Sequence, residues 1–321
     1  MKWTRAEIEI LSQYTRTMKS VRNIYDDIVT AGFVRTYKSI TRKIESMGWT
    51  RPTDLSDLTN LPKILLFDIE TTPMPVWVWD FGKQYVPPTN LVKDENGQQK
   101  VWYVLSWAAK WLYDENVLSD VVTPEEATTR DDSRVLTSIW KLLDEADIVV
   151  AHNGDRFDLR KLNARFILND MIPPSPYKSI DTLKIARKEF AFSSNKQDFL
   201  TKTFGLAEKL DTNFQLWIDC MEGNKNALGD MLRYNKRDVI GLEQVYLKLR
   251  PYIKNHPNLG VLMDDNVCPT CGSKNIQASN ATYFTSSNEF PVYRCGSCKT
   301  PYIRSKTSIG ANKTELRSVA R

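Results

Sequence analysis

The sequence predicts an α/β protein: a mixed sheet flanked by helices, with a small all-helical domain before it and a small β domain after it. Three observations lead to this prediction. In the first 50 residues, apolar side chains recur at helical spacing. From residue 63 onward, apolar runs of buried-strand type appear and then alternate with helical segments. Two C-x-x-C pairs stand within the last 54 residues, a pattern typical of a small metal-stabilised domain.

The composition is typical of a globular protein with more than one domain. Hydrophobic residues make up 41% of the 321 residues and charged residues 26%, so neither a disordered nor a collagen-like chain is predicted. No stretch approaches the ~20 apolar residues of a membrane span, and the first residues lack the apolar core of a signal peptide. We therefore expect an intracellular protein that is neither secreted nor attached to a membrane.

The net charge of +5 is unevenly distributed along the chain. Residues 1–60 carry ten lysines and arginines against seven acidic residues, and residues 268–321 carry eight against two. The segment between them is therefore acidic, although the whole chain is basic. Two basic ends around an acidic middle suit an enzyme that handles a polyanion, and surface charge for solubility explains the pattern equally well.

The N-terminal region is predicted to form three short helices. Thr4 and Glu7 make a capping-box pattern, while Ser20 and Thr36 are the predicted N-caps of the second and third helices. Gly48 is predicted to end the third helix. The apolar residues expected to face inward are Ile8, Leu11 and Tyr14, then Val21, Ile24 and Ile28, and finally Ile40, Ile44 and Met47.

The central region is predicted to contain first strands and then alternating helices and strands. Predicted strands cover residues 64–67, two segments within 102–122, and residues 147–151 and 177–184. Predicted helices cover residues 131–145 and 158–169, followed by two shorter helical segments and a long last helix over residues 225–249. This order favours a mixed sheet with helices against it.

Composition shifts divide the chain into parts. Proline and small polar residues mark two linkers, and the second linker contains His256, which we expect to be exposed. The tail is basic and poor in large apolar side chains, so we expect it to be disordered. The predicted parts are residues 1–51 (helical module), 52–61 (linker), 62–254 (mixed-sheet domain), 255–264 (linker), 265–305 (β domain) and 306–321 (tail).

The first predicted strand ends in two carboxylates, in the run Phe67-Asp68-Ile69-Glu70. Alternate side chains of a strand share a face, so Asp68 and Glu70 point the same way. Neighbouring carboxylates resist ionisation unless a cation joins them, and Mg²⁺ or Mn²⁺ prefers such oxygen ligands. The alternative is a polar strand end whose carboxylates accept hydrogen bonds from loop amides.

Two later motifs add carboxylates to this candidate site. The run H-N-G-D-R-F-D, residues 152–158, begins where a buried strand ends and reaches the first turn of a helix, where the helix dipole favours an acid. Asp155 and Asp158 compete here for the role of a metal ligand. In Y-N-K-R-D, Tyr234 and Asp238 share a helix face and could position a water molecule at a metal. A solvated aspartate on an amphipathic helix is the alternative for this last motif.

Taken in order, the motifs F-D-x-E-T-T, H-N-G-x-x-F-D and Y-N-x-x-D-V resemble those of the DEDD superfamily of 3′–5′ exonucleases, which have a ribonuclease-H-like fold. The resemblance covers about residues 62–250. It is to the tyrosine subtype, because Tyr234 stands four residues before Asp238 and Arg233 stands where the histidine subtype has its histidine.

The resemblance implies a two-metal hydrolysis of phosphodiester bonds from a free 3′ end, which releases 5′-mononucleotides. Tyr234 would orient the attacking water. Asp158 is preferred to Asp155, because the family has an aromatic residue directly before this aspartate, as Phe157 is here. A structure-specific endonuclease on the same fold and a nucleic-acid-binding protein without activity are the alternatives. The implied ligands of the two Mg²⁺ or Mn²⁺ ions are Asp68, Glu70, Asp158 and Asp238.

The C-terminal cysteines form two C-x-x-C knuckles, 268–271 and 295–298, separated by 23 residues. Four thiolates at this spacing suit tetrahedral Zn²⁺, and the segment between the knuckles predicts a hairpin. This part of the chain resembles a zinc ribbon. With four free thiols instead, the segment would be too small to fold alone. The expected ligands of one structural zinc ion are Cys268, Cys271, Cys295 and Cys298.

The N-terminal module resembles a helix-turn-helix domain of the Myb or homeodomain-like kind, bracketed by Trp3 and Trp49. The resemblance implies that its third helix, which opens with R-T-Y-K-S-I, binds nucleic acid, and DNA rather than RNA. A helical bundle that docks a protein is the alternative, and the zinc ribbon could also bind a protein partner. The expected location is therefore the cytoplasm or another intracellular compartment that holds nucleic acid. The candidate nucleic-acid-binding residues are Arg35, Lys38, Arg42 and Lys43.

Three residues near these motifs are expected to have structural roles. His152 is predicted to stabilise the turn that follows the buried strand. Asp181, in the run D-T-L, is predicted to support the site or the fold around it. Cys220 has no partner at metal-ligand spacing and is predicted to be a packed core thiol.

Overall fold

The chain forms two compact units, one of residues 63–249 and one of residues 1–62 together with 250–321. The computed structural model describes residues 3–13, 21–47, 62–205, 212–263, 266–284, 289–304 and 316–318. None of the helices in these ranges is both long and apolar enough to cross a membrane. Outside the described residues lie the predicted linker 52–61 and the predicted positions Tyr14, Ser20, Gly48 and Trp49.

Three N-terminal helices form where the sequence predicts them: α1 (Arg5–Ser12), α2 (Val21–Thr30) and α3 (Tyr37–Ser46). Both hydrogen bonds of the capping box between Thr4 and Glu7 are present. The Thr36 side chain accepts a hydrogen bond from the Ser39 amide and so caps α3. The aliphatic core of this module consists of Leu11, Ile24, Ile28, Ile40 and Ile44.

Residues 63–249 contain a five-stranded mixed sheet with strand order β3-β2-β1-β4-β5. Its strands are β1 (Ile64–Thr71), β2 (Val104–Trp111), β3 (Leu118–Val121), β4 (Ile148–Ala151) and β5 (Lys178–Asp181). The central strand β1 pairs antiparallel with β2 and parallel with β4. Because β1 lies between neighbours on both sides, it is buried along most of its length, as its continuous apolar run predicts.

Helices flank this sheet, and the mixed α/β fold class is therefore confirmed. Helices α5 and α10 pack on β2, and α10 also packs on β1. The sequence did not predict α4, and it predicted only two of the three short helices between β5 and α10. The helices are α4 (Pro124–Thr129), α5 (Ser133–Glu145), α6 (Asp158–Leu168), α7 (Thr182–Glu189), α8 (Gln197–Thr203), α9 (Phe214–Met221) and α10 (Lys225–Leu249).

The predicted linker 255–264 is not a plain linker. It contains the short helix α11 (Leu259–Met263), whose Leu259 amide donates to the Pro269 carbonyl at 2.8 Å. His256 is also buried, so the prediction of an exposed histidine is wrong. The apolar run L-G-V-L-M gives this segment side chains that can be buried against other residues. This tendency to form a packed helix outweighs the loop signal of the proline and polar residues before it.

The C-terminal part forms a four-stranded antiparallel sheet in the order β6-β7-β8-β9. Its strands are β6 (Ile276–Phe284), β7 (Glu289–Cys295), β8 (Pro301–Arg304) and β9 (Leu316–Ser318). The predicted hairpin corresponds to β6 and β7. Strand β9 pairs with β8, so the predicted disorder of the tail is wrong for these three residues. The physical reason is that an edge strand such as β8 offers unpaired backbone groups to any segment that can reach it.

Candidate functional site

The candidate site begins at the carboxyl end of β1. Asp68 lies opposite Ala108 of β2, and Glu70 lies opposite Ser106, so both carboxylates leave the same face of the strand. The register of the β1–β2 pair shifts between Glu70 and Thr71, which ends regular pairing directly after the second carboxylate. Both acidic side chains are only half-buried and are therefore accessible to a ligand.

Helix α10 brings a third carboxylate to this point. One carboxylate oxygen from each of Asp68, Glu70 and Asp238 lies within 4.8 Å of the other two. Three acidic groups at this distance repel one another unless a cation joins them, and hard divalent ions prefer a set of oxygen ligands. The chemistry of the donors therefore fits Mg²⁺ or Mn²⁺. Three of the four predicted acidic ligands come together in this group.

The fourth predicted ligand, Asp158, is held against the backbone of β1. It is the first residue of α6 and is buried, and its Oδ1 accepts a hydrogen bond from the Ile69 amide at 3.2 Å. Burial raises the pKa of Asp158 to about 7, and the negative charge of Asp181 contributes to the increase. Asp158 is outside the group of three carboxylates but adjoins it, because Ile69 stands between Asp68 and Glu70 on the strand.

Asp155, the competing residue of the same motif, has a different environment. Its Oδ2 accepts a hydrogen bond from Lys184 Nζ at 2.7 Å, in a pair whose lysine is largely exposed. This contact directs Asp155 toward the first turn of α7, whereas Asp158 contacts β1. Of the two candidates, only Asp158 touches the strand that carries the other carboxylates.

Tyr234 lies beside Asp238 on α10, as their spacing predicts. The Tyr234 side chain is buried, forms a hydrogen bond with Asp238, and packs edge-to-face against Trp217 with the ring centroids 6.2 Å apart. Burial raises the pKa of the Tyr234 phenol, and the negative charges of Asp238 and Glu70 raise it further. The hydroxyl group is thus fixed next to the carboxylate group.

Asn235 also belongs to the site, although the sequence motifs by themselves assign it no role. Its side-chain nitrogen donates to Asp68 Oδ2 at 2.6 Å, and its oxygen accepts from Ser106 Oγ at 3.3 Å. The Asn235 side chain is completely buried, so this amide holds Asp68 in one orientation. The sequence does contain a signal for this role, because Asn235 stands three residues before Asp238 and therefore shares its helix face.

The loop between β4 and α6 is stabilised by polar contacts. The His152 ring contacts Thr182 Oγ1 and the Asn195 carbonyl oxygen, each at 2.9 Å, which agrees with a structural role for this histidine. Asn153 has a φ of 73°, and its amide donates to Asp181 Oδ1. The same Asp181 oxygen caps α7, so the predicted supporting role of Asp181 is also borne out. These contacts fix the turn that leads to Asp158.

Cys220 and the four C-terminal cysteines have different surroundings, as predicted. Cys220 is completely buried in the core of the sheet domain. The other four sulfur atoms lie within 4.8 Å of one another, with the Cys268–Cys298 and Cys271–Cys295 pairs both at 3.6 Å. Zinc–sulfur bonds of about 2.3 Å imply a tetrahedron with edges of about 3.8 Å, so the cluster fits one Zn²⁺.

The four predicted nucleic-acid-binding residues do not form one group. Arg35 Nε donates to Glu7 Oε1 at 2.5 Å, and the guanidinium lies 4.2 Å from the centre of the Trp3 ring. Its side chain is 8% exposed, so Arg35 joins α1 to the start of α3 instead of facing a ligand. This pairing gives no support to the prediction for Arg35, because a partner 28 residues away in the sequence takes its charge. Lys38, Arg42 and Lys43 line one shallow concavity of about 330 Å³ on α3.

A comparison with known protein families agrees with the fold. Residues 96–250 match the RNase_H_2 family model of the RNase_H superfamily, and the mixed sheet flanked by helices is consistent with an RNase H-like fold. The match includes Asp158, Tyr234 and Asp238 and begins after the strand that carries Asp68 and Glu70. Among curated proteins, none matches the sequence.

One solved structure that is similar to this chain is the family B DNA polymerase from the hyperthermophilic archaeon Pyrobaculum calidifontis. The sequence identity is 16% and the TM-score is 0.45. The similarity covers 63% of this chain and 26% of the polymerase chain, so the protein spans only about a quarter of the length of that polymerase.

Proposed function

We propose that this protein is a metal-dependent 3′–5′ exonuclease of the DEDD tyrosine type that hydrolyses DNA to 5′-mononucleotides. The observation that carries the proposal is the convergence of Asp68, Glu70 and Asp238 within 4.8 Å at the end of β1. The order of the three motifs supports the assignment to the tyrosine subtype. The RNase H-like domain over residues 96–250 supports a hydrolase that acts on nucleic acid.

The chain's own residues supply ligands and a fixed hydroxyl group. Asp68, Glu70, Asp158 and Asp238 are the proposed holders of two Mg²⁺ or Mn²⁺ ions. Such ions neutralise charge on the attacking and leaving oxygens and lower the pKa of a bound water. Tyr234 is proposed to orient the attacking water, since its hydroxyl group is held at Asp238.

A comparison of end-labelled oligonucleotides tests the direction of cleavage. With Mg²⁺ or Mn²⁺, a 3′-labelled strand should release its label as a mononucleotide from the first turnover, and a 5′-labelled strand should shorten step by step. Internal fragments that appear before end products would indicate an endonuclease. Binding without cleavage in either metal would indicate a nucleic-acid-binding protein without activity.

Substitutions test the assignment of the carboxylates. Asp68→Asn and Asp158→Ala should abolish metal-dependent cleavage, whereas Asp155→Ala should stay within a few-fold of wild type, because Asp155 pairs with Lys184 instead. Tyr234→Phe removes one positioned hydroxyl and should slow turnover on the order of 10²–10³-fold. The assignment fails if Asp155→Ala is inactive and Asp158→Ala cleaves normally.

The preference for DNA is proposed from the helical module. Lys38, Arg42 and Lys43 are the cations that line the α3 concavity, and each phosphate contact lowers log K by roughly 0.9 per unit of log salt on duplex DNA. Deletion of residues 1–51 or the double change Arg42→Glu, Lys43→Glu should therefore weaken DNA binding and flatten its salt dependence. Turnover at saturating substrate should change little. An unchanged affinity and slope would indicate that this module docks a protein.

A further inference from the structure

A half-buried lysine stands next to the proposed catalytic strand. Lys161 lies on α6, three residues after Asp158 and therefore on a neighbouring part of the same helix face. Its Nζ is 3.8 Å from the centre of the Trp102 ring and 5.2 Å from the centre of the Phe157 ring. The same Nζ donates to Thr71 Oγ1 at 3.4 Å, and Thr71 directly follows Glu70.

Among the residues that the structure describes, no acidic side chain neutralises the charge of Lys161. Within the described residues it forms no ion pair, whereas two other partly or fully buried cations of the same domain do: Arg165 pairs with Asp132, and Lys110 pairs with Glu243. Burial lowers the pKa of Lys161, which means that the surroundings disfavour an unpaired charge. Two aromatic faces attract the ammonium group but do not replace a counter-ion. An anion arriving from outside would complete this site.

We propose that Lys161 binds a backbone phosphate of the substrate next to the bond that is cut, with Trp102 and Phe157 holding the ammonium group in place. This inference rests on the proposed nuclease function and adds a substrate contact to it. The ligand is a phosphodiester, because the ammonium group lies at the end of the strand whose carboxylates are proposed to act on one. Lys161 is thus a substrate-positioning residue at the edge of the carboxylate site.

The test compares Lys161→Met, which keeps the apolar stem, with Lys161→Arg, which keeps the charge. Lys161→Met should raise KM for single-stranded DNA on the order of 10- to 100-fold, the range for loss of a charge-assisted hydrogen bond, with kcat within a few-fold of wild type. The slope of log K against log salt should fall by about 0.7 for a single strand. Lys161→Arg should restore most of both. Lys141→Met, at an exposed lysine of α5, is the matched control.

The possible outcomes separate this inference from the proposed function. An unchanged KM and salt slope in Lys161→Met, or a defect that Lys161→Arg shares in full, would assign a packing role to Lys161 and overturn the inference. If the wild-type protein bound nucleic acid without cutting it, the proposed function would fail. The salt dependence of binding by wild type and Lys161→Met would still decide the role of Lys161. A wild type that bound no nucleic acid would overturn both.

A second and independent observation is an exposed aromatic segment directly after β1, residues 74–85, here called the aromatic loop. Its backbone is held in place, because the Trp77 amide donates to the Asn90 carbonyl and the Val92 amide donates to the Pro75 carbonyl. Its side chains are nevertheless directed outward, with Trp79 and Phe81 fully exposed. The exposed large apolar side chains of the loop are Met74, Val76, Trp77, Val78, Trp79, Phe81 and Tyr85.

Such a concentration of exposed apolar surface marks an interaction site. Four of the seven side chains are aromatic, and flat rings stack on nucleic-acid bases of any sequence. The loop is continuous with the strand that bears Asp68 and Glu70, and seven residues of chain span at most about 25 Å, so Trp77 lies within that distance of Glu70. The exposed cations Arg156 and Arg160 flank Asp158 and would attract a polyanion to the same site.

We further infer that the aromatic loop binds single-stranded nucleic acid by base stacking and so presents the strand to the carboxylate site. The occupant is a single strand rather than a duplex, because only unpaired bases expose their faces to side chains. This inference also rests on the proposed function, but it concerns binding and is tested without cleavage.

The test measures binding to a single-stranded oligonucleotide in the absence of divalent ions. Trp79→Leu keeps an apolar side chain but loses the ring, and it should weaken binding about 5- to 150-fold, whereas Trp79→Phe should keep most of the affinity. Because Trp79 is fully exposed, neither change removes a core contact. Leu168→Ala, at an exposed apolar residue of α6, is the control and should bind normally.

Blunt duplex DNA supplies the second arm of this test. Its binding should not change in Trp79→Leu. Unchanged single-strand binding in Trp79→Leu, or an equal loss on duplex and single strand, would overturn the inference. Unchanged single-strand binding in Trp79→Leu would instead indicate that the aromatic loop binds a protein partner. If the wild-type protein does not cleave nucleic acid, the proposed function is refuted. The comparison of binding between wild type and Trp79→Leu would still decide whether the aromatic loop binds a single strand.

Discussion

At the scale of single residues, the site depends on side chains that orient the carboxylates as well as on the carboxylates themselves. Asn235 is the clearest example, since it lies between Ser106 and Asp68 in a chain of hydrogen bonds. Asp158 is held in a comparable way by the amide of Ile69. Such contacts reduce the number of orientations that each acid can adopt, and metal sites commonly depend on them.

Asn235→Ala should therefore weaken metal binding without removing a ligand. We expect activity to fall about 10- to 100-fold at limiting Mg²⁺ and to recover in part at high Mg²⁺. A titration of activity against Mg²⁺ concentration measures this shift. Ser106→Ala, which removes the outer and longer bond, should have a smaller effect in the same direction. Wild-type activity of Asn235→Ala at limiting Mg²⁺ would contradict the role given to Asn235.

At the scale of elements, the turn between β4 and α6 determines where Asp158 lies. Gly154 is the critical position, because an added Cβ would lie 2.4 Å from the Cβ of Ala151. Real Cβ atoms do not approach so closely, so the turn would have to open and α6 would shift.

Gly154→Ala should destabilise the protein by about 1–3 kcal/mol and reduce activity by displacing Asp158. Gly229→Ala is a matched control, since its added Cβ would meet only the end of the Arg233 side chain at 3.7 Å. A glycine in the middle of a helix costs about 0.5–1 kcal/mol relative to alanine, so Gly229→Ala should stabilise slightly. Thermal unfolding followed by calorimetry distinguishes these results. Equal stability of the two variants would refute the close approach between residue 154 and Ala151.

The ion pair between α1 and the start of α3 gives the helical module a dependence on pH. The hydrogen bond from Arg35 lowers the pKa of Glu7 from its ordinary 4.5 to about 2. A lowered pKa in the folded state means that the pair stabilises the module fully above about pH 4.5, and that this contribution is lost as the pH falls toward about 2.

Nuclear magnetic resonance signals of α1 and α3 in the full chain should report this loss. In wild type they should lose their dispersion between about pH 4.5 and about pH 2. Glu7→Gln removes the charge at every pH, so the module should be weaker at neutral pH and should lack the part of the transition that comes from Glu7. Identical pH profiles in the two proteins would contradict this account.

At the scale of the whole molecule, the two candidate metal sites belong to separate units. The carboxylates lie within residues 63–249, whereas the four cysteines lie in the unit that contains residues 250–321. The cysteine cluster takes the place of a large core in the small C-terminal sheet, because the buried apolar cluster formed by its described residues consists of cysteines and Tyr302.

Purified protein should therefore retain one equivalent of zinc after dialysis, and Cys271→Ser should lose it. Loss of zinc should unfold the β6–β9 sheet locally, which hydrogen exchange can measure peptide by peptide. The carboxylate site should keep part of its activity on short substrates, because its ligands are oxygens. Protein prepared under reducing conditions that contains no zinc would exclude the zinc ribbon.

Much of the fold followed from local patterns. The caps Thr4 and Thr36, the buried run of β1 and the full length of α10 were predictable, because caps, periodicity and apolar runs act within a few residues of the sequence. The pairing of Asp68 with Glu70 on one strand face was predictable for the same reason. The elements that were missed are short or depend on distant partners, such as α4 and the edge strand β9.

The sequence by itself determined which chemical groups are present and how each is spaced within its own element: two carboxylates on a strand, one at the start of a helix, a tyrosine and an aspartate on one helix face, and four cysteines in two knuckles. Only the tertiary structure decided which of them meet. In the folded chain, Asp238 lies near Asp68, and Arg35 forms an ion pair with Glu7. Asn235 is buried next to the site, and the aromatic loop is exposed. The physical reason is that contacts between residues far apart in the chain depend on how the elements pack, and no local period encodes that packing.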